Sequence, residues 1–373
     1  MNLAPYAMRD EATAGRFYPE PLHLYRSEYQ RDRDRVVHSK AFRRLEKKTQ
    51  VFDPNYSDHF RNRLTHTIEV SQIARTISRV LGLNTDLCEV LALSHDIGHP
   101  PFSHEGERVL DQIMKEHGSG FDHNLHALRI VEYFEEKYPD FRGLNLTFEV
   151  REGIVKHSRD YTGEESLYID ISPYFLDRRP PLEAQLIDLA DEIAYNTADL
   201  DDGYDSGLLT LEQLVEKVDL IGCIYRQVEA ECGAVDEKVR VRETVRRLID
   251  ILATSLVSHS RQVLENEGIN SLEQVRSFPK RLLGLENTVA DQNQQLKCFL
   301  RSDLYDHEIL RRARDKAGHL VRELFEFYLN QPKKLPDSHY RRISQLGLER
   351  VVCDYIAGMT DKYARNKHAE ICP

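Results

Sequence analysis

Apolar residues recur at helical spacing along nearly every long stretch of the chain. In "RLTHTIEVSQIARTISRVLGL", which begins at Arg63, apolar side chains return every three or four residues and define one face of a helix. Gly82 is suited to end that helix, because glycine tolerates the left-handed backbone found just past a helix C-terminus. The next segment, "NTDLCEVLALSHDIGH", has Asn84 or Thr85 as its predicted cap. Pro100 and Pro101 mark its limit, since proline cannot continue a helix.

The remaining helical segments extend over most of the chain. They are "LHALRIVEYFEEKY", "FEVREGIVKHS", "LEAQLIDLADEIAYNTADLDDG", "LTLEQLVEKVDLIGCIYRQVEAE", "VRETVRRLIDILATSLVSHSRQVLE" and "HEILRRARDKAGHLVRELFEFYLN". Residues 158–180 form the longest stretch without this pattern, and a short hairpin or a lid is predicted there. The pattern predicts an all-α protein with a helical core over residues 30–205 and additional helices over residues 206–373.

Composition narrows the class of protein. The chain has 373 residues, of which 40% are hydrophobic, so it can bury a sizeable core. Acidic residues outnumber basic ones by 62 to 51, and the resulting net charge of −11 does not indicate a nucleic acid or membrane partner. With no long apolar run and no signal-peptide pattern, the chain is predicted to be cytoplasmic. The 6 cysteines form no CxxC pair and are predicted to be reduced thiols.

One short segment, "LSHDIGHPPFSHEGE", concentrates candidate chemistry between residues 93 and 107. His95 and Asp96 are adjacent at a predicted helix end, and imidazole and carboxylate are both ligands for divalent metals. Adjacent helical residues point about 100° apart, so both can bind one ion only if it lies between their directions. Two further ligands would have to come from other segments.

Two other helical segments offer such ligands. His66 lies among apolar residues on the preceding helix, and Asp191 lies in the apolar segment "LIDLADEIAY". A carboxylate in such surroundings is costly unless it is paired or bound to a metal. The ordinary alternatives stay open at this point: His66 as a hydrogen-bonded core histidine, and Asp191 as an ion-pair partner, with neighbouring Asp188 equally suited as a ligand.

The whole set of motifs resembles the HD-domain phosphohydrolases, and more narrowly the deoxyguanosine triphosphate triphosphohydrolase-like branch. The resemblance spans residues 31–364. It is carried, in order, by "RDRDRVVHSKAFRRLEKKTQVF", "RNRLTHTIEVSQIARTI", "LSHDIGHPPFSHEGE", "FDHNLHALRIVE", "EGIVKHS", "LEAQLIDLADEIAYNTADLDDG" and "VVCDYIAGMTDKYA". It implies an all-α HD-domain core with further C-terminal helices.

The resemblance also implies a set of roles. One divalent ion, Mg²⁺, Mn²⁺ or Fe²⁺, would be held by His66, His95, Asp96 and Asp191. His104 would donate a proton to the departing 5′ oxygen, and Glu107, three residues on, would orient it. The implied reaction converts a deoxynucleoside triphosphate to deoxynucleoside and inorganic triphosphate.

Substrate contacts follow from the same resemblance. The expected contacts are Gln50 near the sugar, Arg63 and His99 at the phosphates, His123 at the substrate, Tyr195 against the deoxyribose and Asp199 at the 3′-hydroxyl. Helix-cap duty is an equally good role for His123. Two positions depart from the pattern of relatives. Glu192 stands where vertebrate-type relatives carry a phosphate-binding lysine, and His126 stands where glutamine is expected.

Other functions stay open on the sequence. A phosphodiesterase or 5′-nucleotidase of the same fold would want additional metal ligands, which His99, His123 and His126 could supply. A nucleotide sensor without turnover is the third alternative, although it would not need a proton donor. The resemblance further implies a homo-oligomer and deoxynucleoside triphosphates as substrates and as candidate activators.

Overall fold

The amphipathic repeats correspond to α-helices in the computed structural model, which describes residues 3–52, 59–161, 168–233 and 235–371. The helices are α1 Glu28–Val37, α2 Lys40–Arg44, α3 Arg63–Leu81, α4 Thr85–Ser94, α5 Ser103–Glu116, α6 His123–Arg129, α7 Phe148–Val155, α8 Leu182–Asp205, α9 Leu211–Lys217, α10 Asp219–Cys232, α11 Glu237–Asn266, α12 Leu272–Ser277, α13 Asn287–Phe299, α14 Glu308–Asn330, α15 Asp337–Tyr340, α16 Ile343–Leu346, α17 Leu348–Ala357 and α18 Asp361–Ile371.

Short helical variants join these elements. Turns of π-helix extend α6 over Ile130–Phe134 and α13 over Leu300–Tyr305. The described residues contain no strand, and Thr49 and Asn62 form an isolated antiparallel bridge. The predicted all-α class is therefore confirmed.

The ends of α3 and α4 follow local sequence signals. Gly82 takes a φ of 69° just past α3, as predicted for a residue that ends a helix. Of the two predicted caps for α4, Asn84 provides the cap, because its Oδ1 accepts a hydrogen bond from the Leu87 N–H at 3.2 Å. α4 ends at Ser94, well before the prolines, so His95 and Asp96 lie in the turn that follows it.

The chain divides into two compact units that alternate along the sequence. The first unit comprises Met1–Arg9, Ile68–Ala92 and Arg178–Arg311, and the second comprises Asp10–Thr67, Leu93–Asp177 and Arg312–Pro373. The predicted boundary between residues 205 and 206 falls at the end of α8, inside the first unit. As a domain boundary it stays a prediction.

In the first unit, α8 and α10 both pack against α11, and α9 packs against α10. In the second unit, α5 packs against α17, and these helices share an apolar core with α14. The residues at the centre of that core include Leu110, Val321, Leu324, Val352, Cys353 and Ile356. Helices from the C-terminal part of the second unit's sequence are therefore fixed to α5, which carries His104 and Glu107.

The segment over residues 158–180 is only partly described. Residues 162–167, where much of the predicted hairpin or lid would lie, are outside the described part. The described remainder contains a turn of 3₁₀-helix over Ser172–Tyr174. Among the described cysteines, Cys88, Cys223, Cys232, Cys298 and Cys353 are free thiols. No described helix is both long enough and apolar enough to cross a membrane.

Candidate active site

Three of the four predicted metal ligands lie together in the second unit. His66 is in the first turns of α3, and His95 and Asp96 follow the end of α4. All are buried, and one ligand atom from each lies within 4.8 Å of the others. The rings of His66 and His95 have centroids 5.8 Å apart at 66°, edge towards face. Two imidazole nitrogens and one carboxylate oxygen form a donor set that suits a divalent transition metal or Mg²⁺.

Asp96 is held by cationic and polar neighbours on both of its oxygens. The Arg63 Nη1 donates to Oδ2 at 2.6 Å, and the His99 Nδ1 lies 2.9 Å from Oδ1. Burial by itself would raise the pKa of the Asp96 carboxyl, but Arg63, His95 and His99 outweigh burial and hold this pKa well below its usual range. Asp96 is therefore an anion, the state that a metal ligand requires.

Arg63 is buried and committed to protein partners. Its Nη2 donates to the Ser103 Oγ at 2.7 Å, while its Nη1 bonds to Asp96. Arg63 therefore links the start of α3, the turn after α4 and the start of α5. The expected contact of Arg63 with substrate phosphates stays a prediction, and within the second unit this side chain organises the carboxylate.

A second cluster lies in the same unit and joins His99, Glu107 and His123. The Glu107 Oε1 lies 2.8 Å from the His123 Nδ1 and accepts the backbone N–H of His123 at 3.0 Å. The rings of His123 and His99 stack with centroids 3.9 Å apart and planes 29° apart. Burial opposes the charge on His123, but the Glu107 carboxylate outweighs burial and raises the pKa of His123.

The pKa of Glu107 shifts in the opposite direction. Burial would raise its pKa, but His123, His104 and His99 together lower the pKa of this carboxyl far below its usual range. The pair is therefore a carboxylate beside an imidazole that keeps its proton to higher pH than a free histidine. Burial and the nearby Arg63 lower the pKa of His99, so that ring stays neutral.

The predicted proton donor, His104, occupies a more open position. It is the second residue of α5, and its side chain is 82% exposed. Its Nδ1 lies 3.9 Å from the Glu107 Oε2, which is too long for a hydrogen bond. The helical three-residue spacing is as expected, but the direct hydrogen bond of Glu107 goes to His123. The roles of His104 and Glu107 in catalysis stay predictions.

The turn that brings His104 back towards the site is strained. Phe102 and Ser103 have φ values of 64° and 58°, a region that side-chain-bearing residues seldom adopt. Gly106 makes the turn possible, because a Cβ there would lie 1.9 Å from the Pro101 carbonyl oxygen. Strain of this kind persists only where surrounding contacts over-determine the conformation.

Gly98 allows α6 to approach the same turn. A Cβ at this position would lie 2.0 Å from the carbonyl oxygen of His123 and 2.5 Å from the Ala127 nitrogen. The contact with the backbone at the start of α6 places His123 within stacking distance of His99. The glycine of "HDIGH" is therefore needed for close packing as well as for the turn.

The other predicted substrate contacts are distributed over both units. Gln50 is half-buried in the second unit, and its Oε1 accepts no hydrogen bond from the described residues. Tyr195 and Asp199 lie on α8 in the first unit, as does Asp191. The Tyr305 hydroxyl donates to the Asp199 Oδ2 at 2.5 Å, so one oxygen of Asp199 has a protein partner.

Neighbouring acids on α8 have identified partners in the first unit. Asp188 forms an ion pair with Arg281. Glu192, at the position where some relatives carry lysine, lies 2.9 Å from the Lys297 Nζ and accepts a hydrogen bond from Asn293 at 2.7 Å. Glu192 is therefore part of a structural ion pair, which accounts for an acid at this position.

Two further residues, His157 and Lys48, lie near the site although neither was predicted as a site residue. His157 follows α7, is buried, and has its ring centroid 5.1 Å from that of His95. Buried Lys48 donates from its Nζ to the carbonyl oxygen of His99. Burial and the nearby Arg44 lower the pKa of Lys48 well below its usual value. His157 stands in the quoted motif "EGIVKHS", but one histidine at the end of an apolar helix is too weak a signal.

His126 belongs to the packing of the second unit. It lies between Phe121 and Phe134, with ring centroids 5.5 and 6.0 Å away, and its Nδ1 is 3.8 Å from the Asp354 Oδ1. Burial and Arg129 lower the pKa of His126 well below its usual value. His126 is therefore a neutral imidazole packed in the interior, at the position where relatives are expected to carry glutamine.

Comparison with known proteins defines the class first. The family model described as "HD domain" matches residues 63–196, and the one described as "Phosphohydrolase-associated domain" matches residues 283–370. The first match contains the buried histidine and aspartate group, and the second covers most of α13 to α18. The fold is that of an HD domain, and the chain is an HD-domain phosphohydrolase by family.

Relatives that align over nearly the whole chain narrow the family assignment. Proteins named deoxyguanosinetriphosphate triphosphohydrolase-like from Thiobacillus denitrificans and Geobacter sulfurreducens are 47% and 44% identical, over 99% and 97% of this chain and 97% and 93% of their own lengths. One from Leptospira interrogans is 42% identical over 97% of this chain and 94% of its own length. The chain belongs to the deoxyguanosinetriphosphate triphosphohydrolase-like family.

Proposed function

We propose that this protein hydrolyses deoxynucleoside triphosphates, dGTP among them, to deoxynucleoside and inorganic triphosphate. The observation that supports this most directly is the buried group of His66, His95 and Asp96, in the same unit as the Glu107–His123 pair. The first group offers metal ligands and the second offers a protonated imidazole for the triphosphate, and both would favour phosphoester hydrolysis. The substrate class comes from the names of the relatives.

The metal ligands in this proposal are His66, His95, Asp96 and Asp191. A divalent ion, Mg²⁺, Mn²⁺ or Fe²⁺, when bound there would lower the pKa of a coordinated water and polarise the α-phosphoryl group. Arg63 donates to the Oδ2 of Asp96, whereas Oδ1 lies 3.5 Å from the His95 Nε2 and 2.9 Å from the His99 Nδ1, so Oδ1 would be the oxygen offered to an ion. Asp191 is favoured over Asp188 because Asp191 matches the position of the metal ligand in the family, and Asp188 forms an ion pair with Arg281.

Substrate positioning is assigned to side chains around these ligands. His99 would contact the α-phosphate, and a protonated His123, stacked on it, adds positive charge for the triphosphate. Gln50 offers an amide to the sugar. Tyr195 would pack against the deoxyribose and disfavour a 2′-hydroxyl, while Asp199 accepts from the 3′-hydroxyl beside the Tyr305 hydroxyl. Arg63 acts here through Asp96.

His104 completes the reaction. Water adds its oxygen to the α-phosphorus as the bond to the 5′ oxygen breaks, and His104 gives its proton to the 5′ oxygen, which leaves as the hydroxyl of the deoxynucleoside while the water oxygen stays on the triphosphate. The exposure of His104 at the start of α5 leaves its ring accessible to a substrate. Glu107, whose Oε2 lies 3.9 Å from the His104 Nδ1, would orient the ring.

Product analysis tests the function directly. Each deoxynucleoside triphosphate, alone and in mixtures, is incubated with the protein and Mg²⁺ or Mn²⁺, and the products are identified by chromatography. We expect deoxynucleoside and inorganic triphosphate in equal amounts, because the bond cleaved is the one to the 5′ oxygen. Release of monophosphate would favour the phosphodiesterase or 5′-nucleotidase alternative, and binding without turnover would favour a sensor.

Removal of a ligand should weaken metal binding. Asp96→Ala and Asp191→Ala each remove a charged oxygen donor, so we expect Mn²⁺ affinity to fall by at least about 100-fold, more than the usual effect of residues that only orient ligands. Equilibrium dialysis with Mn²⁺ measures this affinity. The matched control is Asp188→Ala on the same helix, which should keep wild-type affinity. If Asp188→Ala lost the metal and Asp191→Ala retained it, the ligand assignment on α8 would be wrong.

Removal of the proton donor should spare binding. His104→Ala should retain metal and bind nucleotide, while single-turnover hydrolysis falls by a factor on the order of 10² to 10⁴, the usual contribution of a general acid. Adding Glu107→Ala should lower the rate little further, because groups that act as a unit are not additive. His117→Ala changes an exposed histidine at the end of the same helix and serves as the control. A wild-type rate for His104→Ala would contradict its assigned role.

The pH dependence should report the Glu107–His123 pair. Glu107 raises the pKa of His123, so His123 loses its proton only at higher pH than a free histidine. Glu107→Gln removes the negative charge, and we therefore expect the alkaline limb of the kcat/KM profile to move to lower pH. The profile is measured with saturating metal at every pH. An unchanged alkaline limb would mean that the charge of His123 does not contribute to substrate capture.

A further inference from the structure

We propose that Asp361, the first residue of α18, is a positioning residue that aligns two segments of the active site. The Asp361 Oδ2 accepts the backbone N–H of Thr49 at 2.9 Å, and its Oδ1 accepts that of Phe102 at 3.0 Å. The side chain is buried in the second unit, so neither bond has ready competition from water. This role in catalysis rests on the proposed function, whereas the two hydrogen bonds do not.

Each segment held by Asp361 carries residues of the site. Thr49 lies between Lys48, which bonds to the His99 carbonyl oxygen, and Gln50. Phe102 directly precedes Ser103, which begins α5. One carboxylate therefore fixes the segment assigned to the sugar and the start of the helix assigned to the proton donor.

The hydrogen bond from Phe102 to Asp361 matters because it holds a strained turn. Phe102 and Ser103 both have positive φ, so the turn needs external contacts to hold its conformation. α18 supplies contacts to both parts of Phe102. Asp361 accepts its N–H, and the guanidinium of Arg365, one turn further along α18, lies 5.0 Å from the centre of its ring.

The effect passes on to the candidate metal site through two further hydrogen bonds. Ser103 accepts from the Arg63 Nη2 at 2.7 Å, and the Arg63 Nη1 donates to Asp96 at 2.6 Å. Displacement of Phe102 and Ser103 would therefore release one side of Arg63 and allow Asp96 to move. This route gives the region that matches the phosphohydrolase-associated domain a direct part in ordering the site.

Capping of α18 does not account for the carboxylate. Thr360, the residue before it, provides the cap, because its Oγ1 accepts the N–H of Tyr363 at 3.3 Å. Asp361 instead directs its oxygens to segments 312 and 259 positions away in the sequence. An acid in the first turn is favourable to any helix, but such an acid need not accept two distant N–H groups.

The test compares Asp361→Asn and Asp361→Ala with two control variants in the full chain. Asparagine keeps the shape and one accepting oxygen, so it should lose one hydrogen bond, whereas alanine loses both. Thr360→Ala weakens the cap of α18 without touching Thr49 or Phe102. Asp337→Asn neutralises an exposed acid at the start of α15 in the same region.

Three measurements are made on each variant: kinetics, Mn²⁺ affinity and amide hydrogen exchange of peptides containing Thr49 or Phe102. For Asp361→Asn we expect kcat to fall roughly 10-fold, and for Asp361→Ala roughly 100-fold, with smaller changes in KM, as for a displacement of about 1 Å near reacting groups. Mn²⁺ affinity should fall in the same order. Exchange should rise in both peptides but not in peptides from α14. Asp361→Asn combined with Ser103→Ala should be less damaging than the product of the two single effects.

The outcomes separate this inference from the proposed function. If the wild type released no inorganic triphosphate, the proposed function would fail, while Mn²⁺ affinity and hydrogen exchange would still test Asp361. Wild-type kcat, Mn²⁺ affinity and exchange in Asp361→Asn would overturn the inference, including the case in which Asp361→Ala does not fold. Equal losses in Thr360→Ala and Asp361→Asn would also overturn it, because they would assign the effect to fraying of α18.

Discussion

The buried ion pair between Arg63 and Asp96 is the interaction on which the second unit's site depends. A charged carboxylate in an apolar interior is costly, and a guanidinium is costly there as well, so each needs the other. Breaking such a pair by removing one partner typically costs about 3–5 kcal/mol, because a charge is left buried and uncompensated. The pair therefore fixes the start of α3 against the turn after α4, and with it the relative positions of His66, His95 and Asp96.

Two groups of side chains with different chemical properties lie close to this ion pair. On one side, imidazoles and a carboxylate offer atoms to a cation, and the low pKa of Asp96 keeps that carboxylate ionised. On the other side, Glu107 raises the pKa of His123, so the His123 ring keeps its proton to higher pH. His99 lies between them, with its Nδ1 2.9 Å from the Asp96 Oδ1 and its ring stacked on that of His123. Its lowered pKa keeps a neutral ring next to two charged groups.

The backbone supports this arrangement by close approach and by strain. Gly98 lets the start of α6 approach within a distance that a side chain would prevent, and Gly106 does the same for the turn before α5. The left-handed Phe102 and Ser103 are held by Asp361 and Arg63, from α18 and α3. Residues far apart in the sequence thus determine one turn.

Much of the fold was already determined by the sequence. The 3.6-residue periodicity predicted α3, α7, α8, α11 and α14, and capping chemistry predicted Gly82 at the end of α3 and either Asn84 or Thr85 at the start of α4, because both signals are local. Local signals were less successful where a helix ends without a breaker: α4 stops at Ser94, before the prolines. The motifs also identified the family, which the whole-chain relatives confirm.

The tertiary structure alone decided which side chains become partners. The family resemblance implied that Glu107 would orient His104, and the packing of α6 against Gly98 brings His123 closer still to that carboxylate. Periodicity likewise assigned no role to His157, Lys48 or Asp361, since each acts on a segment distant in sequence. Secondary structure depends on a few neighbouring residues. Hydrogen-bond partners between distant segments depend on how whole helices pack, and a short sequence pattern does not predict that packing.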